Sequence, residues 1–164
     1  MINKKVLVVY YSRSGVTRKV SKNIGEMLKC DVEELTDTKN RDGIWGFIIS
    51  GKDAMFKKPA VIERIDMESS QYDLVLIGTP VWAGNMSCAI RTYINDNKDK
   101  FNNVGFFCTS GGSKSDVVIE NMEKLCNKKS IANVTLVQKS VNNDTYLQSV
   151  KKFVAEITEK VEKA

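Results

Sequence analysis

An apolar run, a hydroxyl-rich turn and an amphipathic segment follow one another at the start of this chain. The run Val6–Tyr10 is rich in β-branched residues and predicts a strand that is buried on both faces. After the turn, apolar residues recur at the spacing of one helix face, at Val16, Val20, Ile24, Met27 and Leu28. Because parallel strands are joined through such crossover helices, this segment favours an α/β fold.

The same alternation continues to the end of the chain. Further strands are predicted at residues 31–35, 73–78, 104–108 and 134–138, with helical spacing between and after them. The third strand is expected to stop before Pro80, since proline cannot continue a central ladder. The pattern predicts a five-stranded parallel sheet with helices on both faces.

Length and composition are those of one globular domain, residues 1–164. The first residues contain no apolar signal core, and no apolar run approaches about 18 residues. The sequence therefore predicts a cytoplasmic protein without membrane insertion. The net charge of +5 is spread over dispersed lysines without interleaved aromatic residues, so no nucleic-acid partner is predicted.

Histidine is absent from the chain, which excludes Ser/His and Cys/His nucleophilic sites and imidazole metal ligands. The cysteines are far apart and form no CxxC pair, so we expect reduced thiols and no metal site. These cysteines are Cys30, Cys88, Cys108 and Cys126. Any chemistry must come from a cofactor or from carboxylates, lysines and hydroxyls.

Residues 12–17 place three hydroxyl side chains at the start of the first helix. The first turn of a helix has backbone N–H groups without intrahelical partners and a partial positive charge, which together favour an anion. Ser12, Ser14 and Thr17 add hydroxyl donors, and Gly15 lets a ligand approach the backbone. Two interpretations stay open on these residues alone: a phosphate site, or a Ser14 N-cap with solvated hydroxyls beside it.

Two later strands also end in distinctive loops. The third is followed by residues 80–85, where Trp82 is expected to expose its indole at the tip of the loop. The fourth is followed by residues 109–112, whose two glycines allow close backbone approach. Ligands of open α/β sheets bind beyond the carboxyl ends of the strands, where the strand order reverses. A strand order of 2-1-3-4-5 would bring all three loops to that edge.

The segment from Gly43 to Phe56 has helical spacing and an unusually apolar composition. One interpretation is a crossover helix that covers one face of the sheet. The other is that its aromatic residues Trp45, Phe47 and Phe56 also line a pocket or a partner surface. The two are compatible.

Together, the three loops resemble those of the flavodoxin family, and the similarity covers essentially the whole chain in order and spacing. Residues 12–17 look like the phosphate loop S/T-x-S/T-G-x-T, whereas residues 78–85 and 109–112 resemble the two loops that contact the flavin ring. The closing strand has no long insertion, as in short-chain flavodoxins. The resemblance implies a doubly wound sheet of order 2-1-3-4-5 and FMN as cofactor. The residues it implies for FMN binding are Ser12, Arg13, Ser14, Gly15, Val16, Thr17, Pro80, Val81, Trp82, Ala83, Gly84, Asn85, Thr109, Ser110, Gly111 and Gly112.

The roles of two of these residues stay open. Trp82 either stacks on the flavin ring or belongs to the core, and Asn85 either reaches the flavin or caps the next helix, with the cap favoured. The chain also departs from typical flavodoxins, because its flavin loops contain no Asp or Glu. Residues 113–115 stand where many flavodoxins carry an aromatic residue, which predicts an open flavin face.

Three functions are compatible with these observations. The first is an FMN electron carrier that serves a redox protein partner. The second is an FMN-dependent NAD(P)H or quinone oxidoreductase with a small-molecule acceptor, for which no catalytic side chain is assigned, although Tyr11 or water could supply a proton. The third is a non-redox α/β phosphate-binding module. It is disfavoured because the first loop lacks both the paired acidic residues of a receiver and the Cys-x5-Arg loop of a small phosphatase.

Overall fold

The computed structural model describes residues 4–39, 41–63, 65–112 and 115–163. Its centre is a sheet of five parallel strands and one short antiparallel strand. In chain order the strands are Val6–Tyr10 (β1), Asp31–Glu34 (β2), Leu74–Trp82 (β3), Asn85–Met86 (β4), Asn103–Ser110 (β5) and Asn133–Val137 (β6). The five predicted parallel strands are all present.

The parallel strands lie in the order β2-β1-β3-β5-β6, and β4 pairs only with the end of β3. With β4 set aside, this is the predicted order 2-1-3-4-5, and the doubly wound fold is confirmed. Val8 lies between Val32 and Leu76 in the ladder, and Gly78 lies between Tyr10 and Phe107. The direction of winding reverses at β1 and β3, whose carboxyl ends carry the first two predicted loops.

Helices cover both faces of the sheet, as predicted. They are Val16–Leu28 (α1), Gly43–Met55 (α2), Cys88–Asn97 (α3), Asp116–Cys126 (α4), Gln138–Asn142 (α5) and Leu147–Lys163 (α6). α2, α3 and α4 pack on the face that carries Ile77 and Phe106. α1, α5 and α6 pack on the opposite face, around Val8 and Phe107. Within the described part of the chain, no helix has the length and apolarity that a bilayer span requires.

The expectation that the third strand stops before Pro80 was wrong. β3 continues to Trp82, and Pro80 is in register with Thr109 of β5. The ladder between β1 and β3 ends at Gly78, so beyond that residue β3 is an edge strand on one side. An edge position tolerates a residue without a backbone N–H, which explains why the proline does not end the strand.

A two-residue hairpin follows the long β3. Ala83 and Gly84 both have positive φ, at 47° and 73°, which is the requirement of a tight hairpin turn. The turn pairs Trp82 with Asn85 and places both at the end of the β3–β4 ribbon. Ser87 then starts α3, and its hydroxyl accepts a hydrogen bond from the backbone N–H of Ile90.

Candidate functional site

The three predicted loops meet at the carboxyl edge of the sheet, around a cleft of about 200 Å³. The first loop contributes Arg13, Ser14, Val16 and Thr17; the second contributes Pro80, Val81 and Trp82; and the third contributes Thr109, Ser110 and Gly111. The remaining lining residues are Phe47 and Gln138. The convergence follows from the strand order, because the strands that carry these loops are neighbours in the sheet.

The first loop leads into α1 through a glycine in the left-handed region. Gly15 is the N-cap residue with φ 88°, and no side chain caps the helix at this end. Ser12 Oγ accepts a hydrogen bond of 3.1 Å from the backbone N–H of Gly15. The alternative in which Ser14 is the N-cap was therefore wrong. Because no side-chain oxygen or acidic residue serves the first turn of α1, its N–H groups are available to an anion.

The first and third loops are joined by a hydrogen bond between two buried threonines. The Oγ1 atoms of Thr17 and Thr109 lie 2.9 Å apart, and either hydroxyl can donate. Ser110 Oγ accepts a hydrogen bond of 3.0 Å from Ser115 Oγ and donates one to the carbonyl of Gly112. The first of these bonds joins the two hydroxyl-bearing loops beside the cleft, and the other two hold the conformation of the third loop.

Trp82 differs from its prediction. Its indole is only 7% exposed and belongs to the hydrophobic core beneath α2. Tyr11 meets it edge to face, with 5.5 Å between ring centroids and 87° between planes. The guanidinium of Arg41 lies 5.5 Å from the ring centroid. The expectation of an exposed indole was wrong, because Trp82 lies in the β3 ladder and the exposed tip of the loop is Ala83 and Gly84.

Asn85 does not cap the next helix, so the favoured interpretation of its role was also wrong. Its side-chain amide donates a hydrogen bond of 3.4 Å to the carbonyl of Ala83, and Ser87 is the N-cap of α3. Several predicted residues do not line the cleft, namely Ser12, Gly15, Ala83, Gly84, Asn85 and Gly112. Ser113 and Lys114, on which the prediction of an open face partly depended, lie outside the described residues.

Phe47 and Gln138 line the cleft although they lie outside the three loops. Phe47 was foreseen only as a candidate for a pocket or partner surface. Gln138 starts α5 directly after β6, and the sequence gives no signal for it because its position depends on how β6 packs beside β5. Phe47 is 60% exposed, so it forms an outer wall of the cleft rather than its floor.

The lining of the cleft contains Arg13 but no carboxylate among the described residues. The Arg13 guanidinium stacks against the ring of Phe47, with 5.2 Å between Cζ and the ring centroid. This contact joins the first loop to α2. A cation and no anion at the cleft favour a negatively charged ligand.

A larger cavity of about 570 Å³ lies on the other side of the first loop. It contains residues of that loop and of the segment after β2, but none of the second or third loop. Tyr11 lines this cavity and not the cleft. Burial, with a contribution from Asp37, raises the pKa of Tyr11 to about 12, so its hydroxyl stays protonated at neutral pH.

A buried ion cluster holds α2 in place beside this cavity. Arg41 donates from Nε to Asp37 Oδ2 at 2.5 Å, and from an amino group to Asp53 Oδ2 at 3.2 Å. The side chains of Arg41 and Asp37 are each 2% exposed. Because Asp53 belongs to α2, the cluster fixes the helix that carries Phe47.

The cysteines contribute no nucleophile to this site. All four are free, and none lines the cleft. Burial raises the pKa of Cys30 to about 11 and that of Cys108 and Cys126 to about 12. Burial also raises the pKa of Cys88. Thiols in such surroundings stay protonated at neutral pH and are poor nucleophiles.

A sequence model of the family described as Flavodoxin matches residues 5–157 of the chain. A search of curated proteins finds no match.

Solved structures with the same architecture include several flavoproteins. A flavoprotein from Lactobacillus acidophilus NCFM, determined in complex with FMN, is 24% identical with a TM-score of 0.65, over 85% of this chain and 97% of that one. A flavodoxin from the domain Archaea is 17% identical with a TM-score of 0.61, and the match covers 96% of this chain and 99% of that one. The two-electron reduced flavodoxin of Megasphaera elsdenii is 19% identical with a TM-score of 0.57, and the match covers 97% of this chain and 99% of that one. At these identities the likeness establishes the fold.

Proposed function

The chain belongs to the flavodoxin family, and from that premise we propose that it binds FMN non-covalently in the cleft and transfers electrons through it. The observation that carries the proposal is the meeting of three loops, one of them an uncapped helix N-terminus, around one cleft at the carboxyl edge of the sheet. Bound FMN supplies the redox chemistry, and the protein supplies binding, orientation and electrostatics.

The residues of the first loop fit the phosphate. The first turn of α1 offers backbone N–H groups, and Ser14 and Thr17 offer hydroxyl donors beside them. A Cβ atom placed on Gly15 would have only one neighbour within 4 Å, the guanidinium of Arg18 at 4.0 Å, so a phosphate oxygen has room beside this residue. Because the described residues that line the cleft include a cation and no carboxylate, we propose that the cleft receives the doubly charged phosphate without repulsion.

The second and third loops would together hold the flavin ring. Pro80 and Val81 of the second loop and residues 109–111 of the third loop line the cleft side by side, because Pro80 and Thr109 are partners in the β3–β5 ladder. The cleft of about 200 Å³ is below the usual size of ligand pockets, roughly 300–1,000 Å³. We therefore propose that part of the ring extends past the cleft toward Phe47, and that Trp82 supports the ring from the core instead of stacking on it.

A second candidate function is supported by the position of Phe47. An exposed aromatic wall beside the cleft would suit a flat small acceptor, as an FMN-dependent NAD(P)H or quinone oxidoreductase requires. In that function Phe47 and Arg13 would position the acceptor, and no side chain of the chain is assigned to proton transfer. The free cysteines favour the cytoplasm as the compartment for either function.

The test is a titration of the flavin-free protein with FMN, followed by absorption and by flavin fluorescence. Saturable binding at one site supports the proposal; failure to bind FMN contradicts both redox functions and leaves a non-redox phosphate-binding module. Mixing the loaded protein with NADH or NADPH alone then separates the two redox functions. Direct bleaching of the flavin band supports the oxidoreductase, whereas bleaching only through an added reductase supports the carrier and its redox protein partner.

A further inference from the structure

The outward face of α2 is the most apolar exposed surface of the described chain. Eight large apolar side chains between residues 44 and 61 are exposed, whereas only three others are exposed elsewhere in the described residues. We name this group the α2 face; its members are Ile44, Trp45, Phe47, Ile48, Ile49, Met55, Phe56 and Val61. Ile44 and Trp45 protrude most, at 79% and 77% exposure.

The size of the α2 face is that of one side of a stable protein interface. Its side chains expose on the order of 1,000 Å² if a fully exposed large side chain presents about 200 Å². The largest apolar patch of a typical monomer measures roughly 300–600 Å². A standard interface buries about 800 Å² on each partner. The α2 face therefore exceeds what a monomer usually leaves in water.

Gly51 lies in the interior of α2, and no contact among the described residues explains it. Its φ is not positive, and a Cβ atom placed on it would meet nothing within 4 Å. Glycine weakens the interior of a helix relative to alanine, so its presence without a local reason is unfavourable. A residue without a side chain does allow another helix to approach closely at this position.

The chemistry of the α2 face favours a permanent partner. Interfaces of transient complexes are about as polar as the rest of a protein surface, whereas homodimer interfaces are more apolar and poor in charge. Lys52 is the only charged residue of α2 that is exposed, since Asp53 is buried in the ion cluster. A redox protein that docks and leaves would not require so large an apolar surface.

A symmetric pairing of two copies of α2 is compatible with the helix dipole. A two-fold axis across the middle of α2 would place two copies of the helix antiparallel. The dipoles of the two helices would then oppose each other.

We propose that the α2 face binds the same face of a second copy of this chain and forms a two-fold symmetric dimer. Phe47 belongs both to the α2 face and to the cleft. The dimer would therefore bring the two clefts to the edges of one interface. The proposal does not depend on FMN binding, because it rests on the exposed side chains of the α2 face alone.

Sedimentation velocity of the flavin-free protein over about 1–100 μM tests the proposal. We expect a dimer whose dissociation constant rises at least about thirtyfold in Ile48→Glu, as for the loss of a central interface residue. The matched control is Val117→Glu, which adds the same charge at an exposed valine of α4 and should leave the dimer intact. Circular dichroism checks that both variants are folded.

Trp45 supplies a second readout, because Trp82 is already buried. On dilution of the wild type through the dissociation range, the indole emission should move to longer wavelength, and in Ile48→Glu it should be independent of concentration. A wild-type protein that is monomeric at 100 μM overturns the proposal. If that monomer binds vesicles of anionic lipid, the α2 face serves a membrane surface and the dimer proposal is still wrong. A dimer that Ile48→Glu leaves unchanged also overturns it.

Discussion

Thr17 and Thr109 are 92 residues apart in the chain, yet their Oγ1 atoms lie 2.9 Å from each other in the floor of the cleft. The bond joins the start of α1, next to the first loop, to the end of β5, next to the third loop. It arises because β1 and β5 both flank β3, so their carboxyl ends lie close together. Both threonines also line the cleft, although each is at most 4% exposed.

We expect Thr17→Val to weaken FMN binding about tenfold, because one hydroxyl donor to the phosphate is worth roughly 1–1.5 kcal/mol. Valine keeps the shape of the side chain but leaves the buried Thr109 hydroxyl without this partner, so the variant should also lose roughly 1–3 kcal/mol of stability, and circular dichroism checks that it is folded. The measurement is the dissociation constant of FMN from fluorescence quenching. Thr158→Val is the control, since Thr158 bonds only within α6, to the carbonyl of Val154. Equal affinities of the two variants would contradict the assignment of Thr17.

Two isosteric substitutions at Gly15 separate charge from backbone strain. Both Asp and Asn tolerate the left-handed φ of 88° better than other side chains do, and they have the same size. Gly15→Asp places a carboxylate at the proposed phosphate site and should lower FMN affinity more than about a hundredfold, since it leaves an unpaired charge against a dianion. Gly15→Asn should retain FMN within about tenfold. If both variants lose FMN equally, the need for glycine at this position comes from backbone strain and not from a bound phosphate.

No carboxylate lines the cleft in the part of the chain that the structure describes, and this predicts a measurable effect on redox potential. The second one-electron reduction of bound flavin adds negative charge, which nearby carboxylates disfavour. The potential of this second step should therefore be less negative here than in a flavodoxin with acidic loops. Gln138→Glu adds one charge at the edge of the cleft without changing its shape. We expect it to lower that potential by roughly 20–40 mV, the equivalent of a screened interaction below about 1 kcal/mol. Spectroelectrochemical titration of both proteins, with Gln138→Ala for comparison, measures the shift. An unchanged potential would show that Gln138 lies too far from the flavin.

The alternation of buried strands and helices was sufficient to predict the α/β fold, whereas the strand order, and with it the meeting of the three loops, was implied by the resemblance to the flavodoxin family. The sequence was not sufficient for Trp82, whose burial depends on Tyr11 and Arg41, residues that reach it only in the folded chain. Pro80 was misjudged for a similar reason, since its tolerance depends on where the neighbouring β1 ends. Local rules fail at these two positions because contacts from distant segments decide them.

Two glycines of α2 provide a final test of how this helix is held. A Cβ atom on Gly46 would lie 2.1 Å from the backbone carbonyl of Arg41, whereas one on Gly51 would meet nothing. Gly46→Ala must therefore displace α2 from the segment that carries the buried ion cluster, and we expect it to lower the free energy of unfolding by roughly 1–3 kcal/mol. Gly51→Ala should raise that free energy by about 0.5–1 kcal/mol, because alanine favours a helix interior.

Both substitutions are best measured by urea unfolding in the Ile48→Glu background, so that any association through the α2 face does not contribute to stability. FMN affinity is the second measurement, since Phe47 is carried by the same helix and lines the cleft. Gly46→Ala should also weaken FMN binding, and Gly51→Ala should leave it unchanged. If Gly46→Ala lowers the free energy of unfolding and Gly51→Ala raises it, then α2 is anchored through its contact with Arg41. Equal effects would place the anchor elsewhere.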